Sequence, residues 1–265
     1  MAYIYETHLH TVESSACGKS HGNEYISFYK ALGYSGIIVT DHFFNGNCGV
    51  PRDLPWEERV NLFCRGYEVA KEEGDKQNFQ VFFSWECNFA GDEYLVYGLD
   101  KQWLLDHPDI LSWDHITHHN KVKEAGGLVV QAHPFRERGY LSQVNVHPHQ
   151  CDAWEVANAG NTDEQDKLAY HFAQAHNIPM TAGSDIHHVG QTESGEIYGV
   201  AFDTPLTSIK DYVERIKSGQ GYTLRVPASR LEWNDTSVNH LPLYAYNKEN
   251  KPILINNLDE LNKMF

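Results

Sequence analysis

Basic side chains are scarce: the chain has 21 Lys and Arg against 36 Asp and Glu, a formal net charge of −15. Tight binding to a polyanion needs a basic footprint, so this balance disfavours nucleic acid as a partner. Cysteine is scarce too, and Cys17, Cys48, Cys64, Cys87 and Cys151 form no CxxC pair, unlike a disulfide framework or a zinc ribbon. No apolar run approaches the ~20 residues of a membrane helix. The opening stretch MAYIYETHLH carries neither the basic region nor the apolar core of a secretion signal. The expectation is a cytoplasmic protein with no membrane partner, in which the glycosylation sequon at Asn234 is a chance match. Also missing are Pro-rich or Gly/Ser-rich linkers, fixed-period repeats, and a Gly-rich phosphate loop of the Rossmann or Walker kind. The last absence weakens an open doubly wound sheet.

Histidine is abundant, at 16 in 265 residues, and it is the commonest transition-metal ligand. Short apolar runs at 3–8, 36–40, 79–85, 94–99, 127–132, 153–157 and 179–183 read as strands. Amphipathic stretches at 23–32, 57–73, 113–125, 163–177 and 207–218 read as helices, the second opened by Pro55 and ending near Gly74. Near-continuous apolar strands alternating with helices predict an α/β fold with a parallel sheet, closed or nearly closed into a barrel. The pattern changes near residue 219, so residues 1–218 read as the main domain and 219–265 as a C-terminal strand and turn extension packed on it.

In a parallel barrel, chemistry collects at the C-terminal ends of strands. The first run ends in His8 and His10, the second in Asp41 and His42, and the third carries Glu86. The fifth ends at His133-Pro134, the seventh at Asp185, His187 and His188. In His8-x-His10 both imidazoles share one face of an extended strand, and Asp185-x-His187 repeats the device. Such nitrogen and oxygen donors suit zinc, manganese or iron without choosing among them. Each piece has a plainer reading: a surface histidine pair, a helix cap at Asp41, a turn at His133-Pro134. The combination makes the metal reading. His118, His119, His147 and His149 read as surface residues.

The ordered set HLHT, TDHFF, WECN, AHPF and GSDIHH, spanning about residues 4 to 190, resembles the PHP (polymerase and histidinol phosphatase) superfamily, above all its stand-alone histidinol-phosphatase-like members. The resemblance implies a distorted seven-stranded β/α barrel with two to three divalent ions on its rim. It implies that His8, His10, Glu86 and Asp185 hold one metal, that Glu86 and His133 share a second, and that His42 and His187 take a third, with Asp41 behind the ligands. Two departures stand out. Where relatives often have a further ligand after the first motif, this chain has VESSACGKS, in which Cys17 is the strongest donor when deprotonated. Where many have a further His before the His-Pro motif, this chain offers Glu93 or Tyr94. The implied reaction is hydrolysis of a small-molecule phosphomonoester by metal-activated water, with His187 or His188 assisting the leaving group and Arg136 clamping phosphate. Asn158 ends the sixth run and lines the rim in this reading. The alternatives are a PHP-type nuclease, a non-catalytic metal-stabilised binding protein, and a metal-dependent amidohydrolase.

Overall fold

The computed structural model describes residues 2–191, 196–232, 240–257, 260 and 263. The Asn234 sequon lies outside them. The strands are β1 (Tyr3–Glu6), β2 (Gly36–Val39), β3 (Gln80–Phe83), β4 (Trp85–Phe89), β5 (Asp92–Tyr97), β6 (Leu128–Gln131), β7 (Val144–Val146), β8 (Ala153–Asn158), β9 (Met180–Gly183), β10 (Gly199–Phe202), β11 (Tyr222–Arg225), β12 (Leu243–Tyr246) and β13 (Pro252–Ile255). The helices are α1 (Glu24–Ala31), α2 (Trp56–Phe63), α3 (Arg65–Gln77), α4 (Lys101–Leu105), α5 (His115–Glu124), α6 (Asp163–Ala175) and α7 (Ile209–Ser218).

Local chemistry sets several boundaries. Thr162 and Gln165 form a reciprocal capping box at the start of α6, with Asp163, Glu164 and Asp166 in its positive first turn. Ser208 caps α7, and Gly219 ends it in the left-handed conformation. The helix expected to stop near Gly74 instead breaks at Cys64 and runs on to Gln77. Gly74 serves packing: a Cβ there would stand 2.7 Å from both Phe79 O and Val81 Cγ2.

The strands do not close into a seven-stranded barrel. They form three mixed sheets, in the orders β11-β10-β1-β2-β3, β4-β5-β6-β8-β9 and β13-β12-β7. Two features overturn the parallel barrel. The run 79–85 is broken at Ser84, and β3 and β4 on either side belong to different sheets. Then Ala90 and Gly91, both at positive φ (58° and 104°), make a two-residue hairpin that pairs β5 antiparallel to β4. A parallel neighbour needs a crossover of a dozen or more residues, and none exists here. At the other end β10 runs antiparallel to β1 and β11 antiparallel to β10. Parallel pairing survives in β1-β2-β3 and β6-β8-β9.

The two five-stranded sheets meet at a seam. Isolated parallel bridges join Leu9 to Ile186 and His42 to Glu86. The backbone bonds there are His10 N to Ile186 O (2.9 Å), Phe43 N to Glu86 O (2.7 Å) and Glu86 N to Asp41 O (3.0 Å). Between the sheets and α7 lies an apolar layer that includes Tyr5, Ile38, Leu95, Val130, Val200, Phe202 and Ile216. Among the described residues no helix is long and apolar enough to cross a membrane.

Three histidines expected at the surface are inside. His118, His119 and Val122 form the inward stripe of α5, and His147 is buried at 5 % exposure. His149 is half-buried. His118 Nε2 is 3.5 Å from Cys87 Sγ and its Nδ1 has no hydrogen-bond partner. Burial, then the neighbouring His119, lowers its pKa from 6.5 to about 4. A depressed histidine favours folding fully above the unfolded pKa and loses that contribution as pH falls towards the folded one. Stability should therefore decline between pH 6.5 and about 4, with His118 contributing roughly 3 kcal/mol of the loss. Denaturant midpoints at pH 7 and pH 5 should differ less in His118→Gln than in the wild type. An identical difference would remove His118 as the cause.

Candidate metal centre at the seam

β1 runs out of the first sheet into Thr7-His8-Leu9-His10. The alternation of the extended chain buries Leu9 on one side and sends His8 and His10 to the other. Their Nε2 atoms approach to 3.1 Å. Asp185 Oδ1 lies 3.5 Å from His8 Nε2 and 3.2 Å from His10 Nε2. Glu86 enters from β4 between the imidazoles. Its Oε1 is 3.3 Å from His8 Nε2 and 3.6 Å from His133 Nε2, and its Oε2 is 2.8 Å from His42 Nδ1 and 3.5 Å from His10 Nε2. The His10 ring stacks on His42 and on His187, with centroids 4.1 and 4.5 Å apart. Every one of these side chains except the half-buried His187 is within a tenth of full burial.

Three groupings bring donor atoms within 4.8 Å of one another: His8 with His10 and Asp185, His10 with His42 and His187, and His42 with Glu86 and Glu93. His133 Nε2 is 3.5 Å from Glu93 Oε2. Thus Glu93 stands where the sequence left a ligand position open, whereas buried Tyr94 points elsewhere, onto His115. The donor set fits a divalent cation. Both Glu86 oxygens and His42 Nδ1 are buried with no well-aligned hydrogen bond, and buried polar atoms rarely stay so unless another ligand is meant to meet them.

The electrostatics express the same demand for positive charge. Burial pushes Glu86 up, but His8 and His42 outweigh it and hold the carboxyl well below its usual range. Asp185 is held low in the same way, by His8 and then Arg136 against burial. Burial lowers His8 and His42, yet Glu155 and Asp185 raise the first and Glu86 the second, leaving both above 6.5. His10 goes the other way, to about 3, through burial and the charge of His42. Glu93 is raised by burial and by Glu86. Burial pushes the Cys17 thiol up, but hydrogen bonds from His187 and His42 bring it down to about 6, so Cys17 sits beside the grouping of His10, His42 and His187.

The remaining sequence candidates stand around this cluster. Asp41 faces away from it, accepting from Thr11 N (2.6 Å), Thr11 Oγ1 (2.7 Å) and Ser15 Oγ (2.7 Å). Ser15 Oγ in turn lies 3.2 Å from His10 Nδ1, so Asp41 acts on the cluster through Ser15. Arg136 is buried and committed: Nε donates to Asn161 Oδ1 (2.5 Å), Nη1 to Asp185 Oδ2 (2.6 Å) and Nη2 to Asn158 Oδ1. Asn158 also donates to Glu155 Oε2 (2.8 Å). His188 Nδ1 donates to the Val189 carbonyl.

Sequence reasoning missed Glu155. It is fully buried in β8, its Oε1 accepts from His8 Nδ1 at 2.9 Å, and its Oε2 accepts from His133 N at 3.2 Å. A carboxylate accepting from Nδ1 fixes the tautomer that leaves the Nε2 lone pair facing the cluster. The signal was there: a lone Glu in the apolar strand AWEVAN. Glu155→Gln should weaken metal binding roughly 10–100-fold, read by titration against a competing chelator. Unchanged affinity would refute its role.

Two candidate ligands sit on strained backbone. His133 and Asp185 have φ of 33° and 55°, a region costly for residues with a Cβ. Such strain persists where surrounding structure enforces it, often at functional sites.

Neither a protein-family profile nor a curated protein matches the sequence. Solved structures do resemble the fold. One, from Bifidobacterium adolescentis and provisionally described as a metal-dependent phosphoesterase, superposes with a TM-score of 0.51 at 16% identity, over 71% of this chain and 88% of that one. Another, an amidohydrolase from Chromobacterium violaceum with bound sulfate and no metal, gives 0.49 at 12% identity, over 84% and 99%.

Proposed function

We propose that the protein is a metal-dependent phosphomonoesterase of the PHP type, acting on a small-molecule phosphate ester as histidinol-phosphatase-like enzymes do. The observation that carries this reading is the buried cluster in which His8, His10, His42 and His133 surround Glu86, with Asp185, His187 and Glu93 joining them in three groupings of donor atoms. The fold similarity to a structure described as a metal-dependent phosphoesterase supports it. Two or three zinc, manganese or iron ions fit the donor set. Divalent cations supply Lewis-acid shielding of phosphate oxygens and acidification of water at such a site.

The chain's own residues do the rest. His8, His10 and Asp185 would hold one cation, and Glu86 would bridge towards His133, Glu93 and His42. His10, His42 and His187, with Cys17 beside them, would hold another. His187 donates Nδ1–H to the Asp185 carbonyl at 2.8 Å, which turns Nε2 towards the cluster. His188, with Nδ1 held by the Val189 carbonyl at 3.0 Å, keeps Nε2 for a proton to the departing alcohol. Arg136 braces Asp185 rather than reaching outward. The acidic balance of the chain favours a small substrate over nucleic acid.

The test is phosphate release from a panel of monoesters, including histidinol phosphate, nucleoside monophosphates and sugar phosphates, with added manganese and with chelator. Release that falls to background with chelator is expected. A protein loaded with metal that releases phosphate from no member of the panel sinks the proposal. Degradation of a labelled single-stranded oligonucleotide in its place would establish the nuclease alternative.

A further inference from the structure

With three nitrogens of Arg136 bonded inside the protein, the cleft beside the metal cluster needs another cation to meet an anionic substrate. That cleft is lined by Glu93, His133, Arg136, Arg138, Tyr140 and Gln143, among others. Arg138 is half-buried. Its hydrogen bond is a long one, 3.5 Å from Nη2 to the Gly160 carbonyl, and among the described residues no carboxylate is within ion-pair distance of it. Burial and then the Arg136 charge lower its pKa, with Asp185 acting in the opposite direction. A half-buried guanidinium beside a second cation, without a carboxylate of its own, is completed by an anion. Its planar fork matches phosphate oxygens two at a time. Tyr140 stands on the same loop, 77 % exposed, and an exposed aromatic at a cleft mouth offers a flat apolar wall with a polar tip.

We propose that Arg138 receives the phosphate oxygens of the substrate at the metal cluster, and that Tyr140 flanks the alcohol portion of the ester. The substrate class is then a phosphomonoester whose alcohol carries a flat ring. This rests on the phosphoesterase reading, but its anion site can be tested apart from turnover.

The experiment measures inorganic phosphate binding by calorimetry on the manganese-loaded full chain, for the wild type, Arg138→Ala, Arg138→Lys and Tyr140→Ala. Arg138→Ala should weaken phosphate binding about 10-fold or more, as expected for loss of charge-assisted hydrogen bonds. Arg138→Lys should restore part of it, because the charge returns without the fork. Tyr140→Ala should leave phosphate binding unchanged while raising KM for ring-bearing esters. The thermal midpoint of Arg138→Ala should stay near the wild-type value, since among the described residues the side chain gives up one long hydrogen bond, to the Gly160 carbonyl. Phosphate binding that is absent in the wild type, or equal in Arg138→Ala, overturns the inference. If phosphate binds through Arg138 but no ester is hydrolysed, the anion site stands and the phosphoesterase reading falls. If hydrolysis proceeds and Arg138→Ala matches the wild type in binding and in kcat/KM, this inference falls alone.

Discussion

A Glu86→Gln protein should lose bound metal and metal-dependent turnover together, by more than the roughly 10–100-fold that removal of a residue behind the ligands costs. The carboxylate stands between four imidazoles, at 2.8 to 3.6 Å. Glutamine keeps the shape but removes the charge and turns an N–H donor towards cationic neighbours. Among the described residues no other side chain reaches all of His8, His10, His42 and His133. The fold should tolerate the change, because replacing a buried charge by an isosteric neutral group removes a desolvation cost as well as an attraction. The checks are metal content per chain, phosphate release, and the unfolding midpoint in chelator. A variant with a full complement of metal and the wild-type rate would show that Glu86 is not the bridge.

Gly183→Ala should damage the same centre from behind. A Cβ at this position would lie 2.5 Å from His8 Cβ, 2.9 Å from Glu155 Oε1 and 3.0 Å from His8 N. The two His8 atoms cannot swing aside and Glu155 Oε1 is held by His8 Nδ1, so the backbone of β9 or of the His8 segment must move. Overpacking of this kind costs about 1–3 kcal/mol, which lowers the unfolding midpoint by roughly 2–4 °C for each kcal/mol in a chain of this size. It also breaks the close approach that lets Glu155 hold His8. Metal affinity should fall with stability. Gly139→Ala is the control, since nothing lies within 4 Å of its added Cβ and its midpoint should not move. Equal midpoints for the two variants would mean that the His8 segment accommodates the methyl group.

The sequence made most of the site's membership readable and little of its architecture. His8-x-His10, His42, Glu86, His133, Asp185 and His187 ended or followed apolar runs, and the structure brings all of them together. The runs themselves lie close to observed strands. Sheet pairing was not readable, because apolar strands look alike whether the next one runs parallel or returns through a hairpin. The short Ala90-Gly91 link between β4 and β5, with no helix in it, was the available hint. Positions behind the ligands were hidden for a different reason. Glu155 sits in β8 like any strand residue, and only the fold sets it against His8, whereas Asn158, at the end of the same run, was placed on the rim but not against Arg136. The inward turn of His118 and His119 depends on which face of α5 meets β6, which a weakly amphipathic helix does not announce. Arg136 was recognisable as a cation near the cluster, but its hydrogen-bond partners, Asn158, Asn161 and Asp185, lie 22 to 49 residues further along.

The ligands are contributed from both sides of the seam: His8, His10 and His42 from the first sheet, Glu86, His133 and Asp185 from the second. The centre is therefore a joint between two bodies rather than a feature of either. Its geometry is an alignment, kept by a few backbone bonds at Leu9–Ile186 and His42–Glu86. Substitutions in the apolar layer between the sheets can misalign the joint without touching a ligand and without unravelling a strand. Activity and stability can thus be lost by separate routes, and a cation that grips both sides acts as a rivet as well as a reagent.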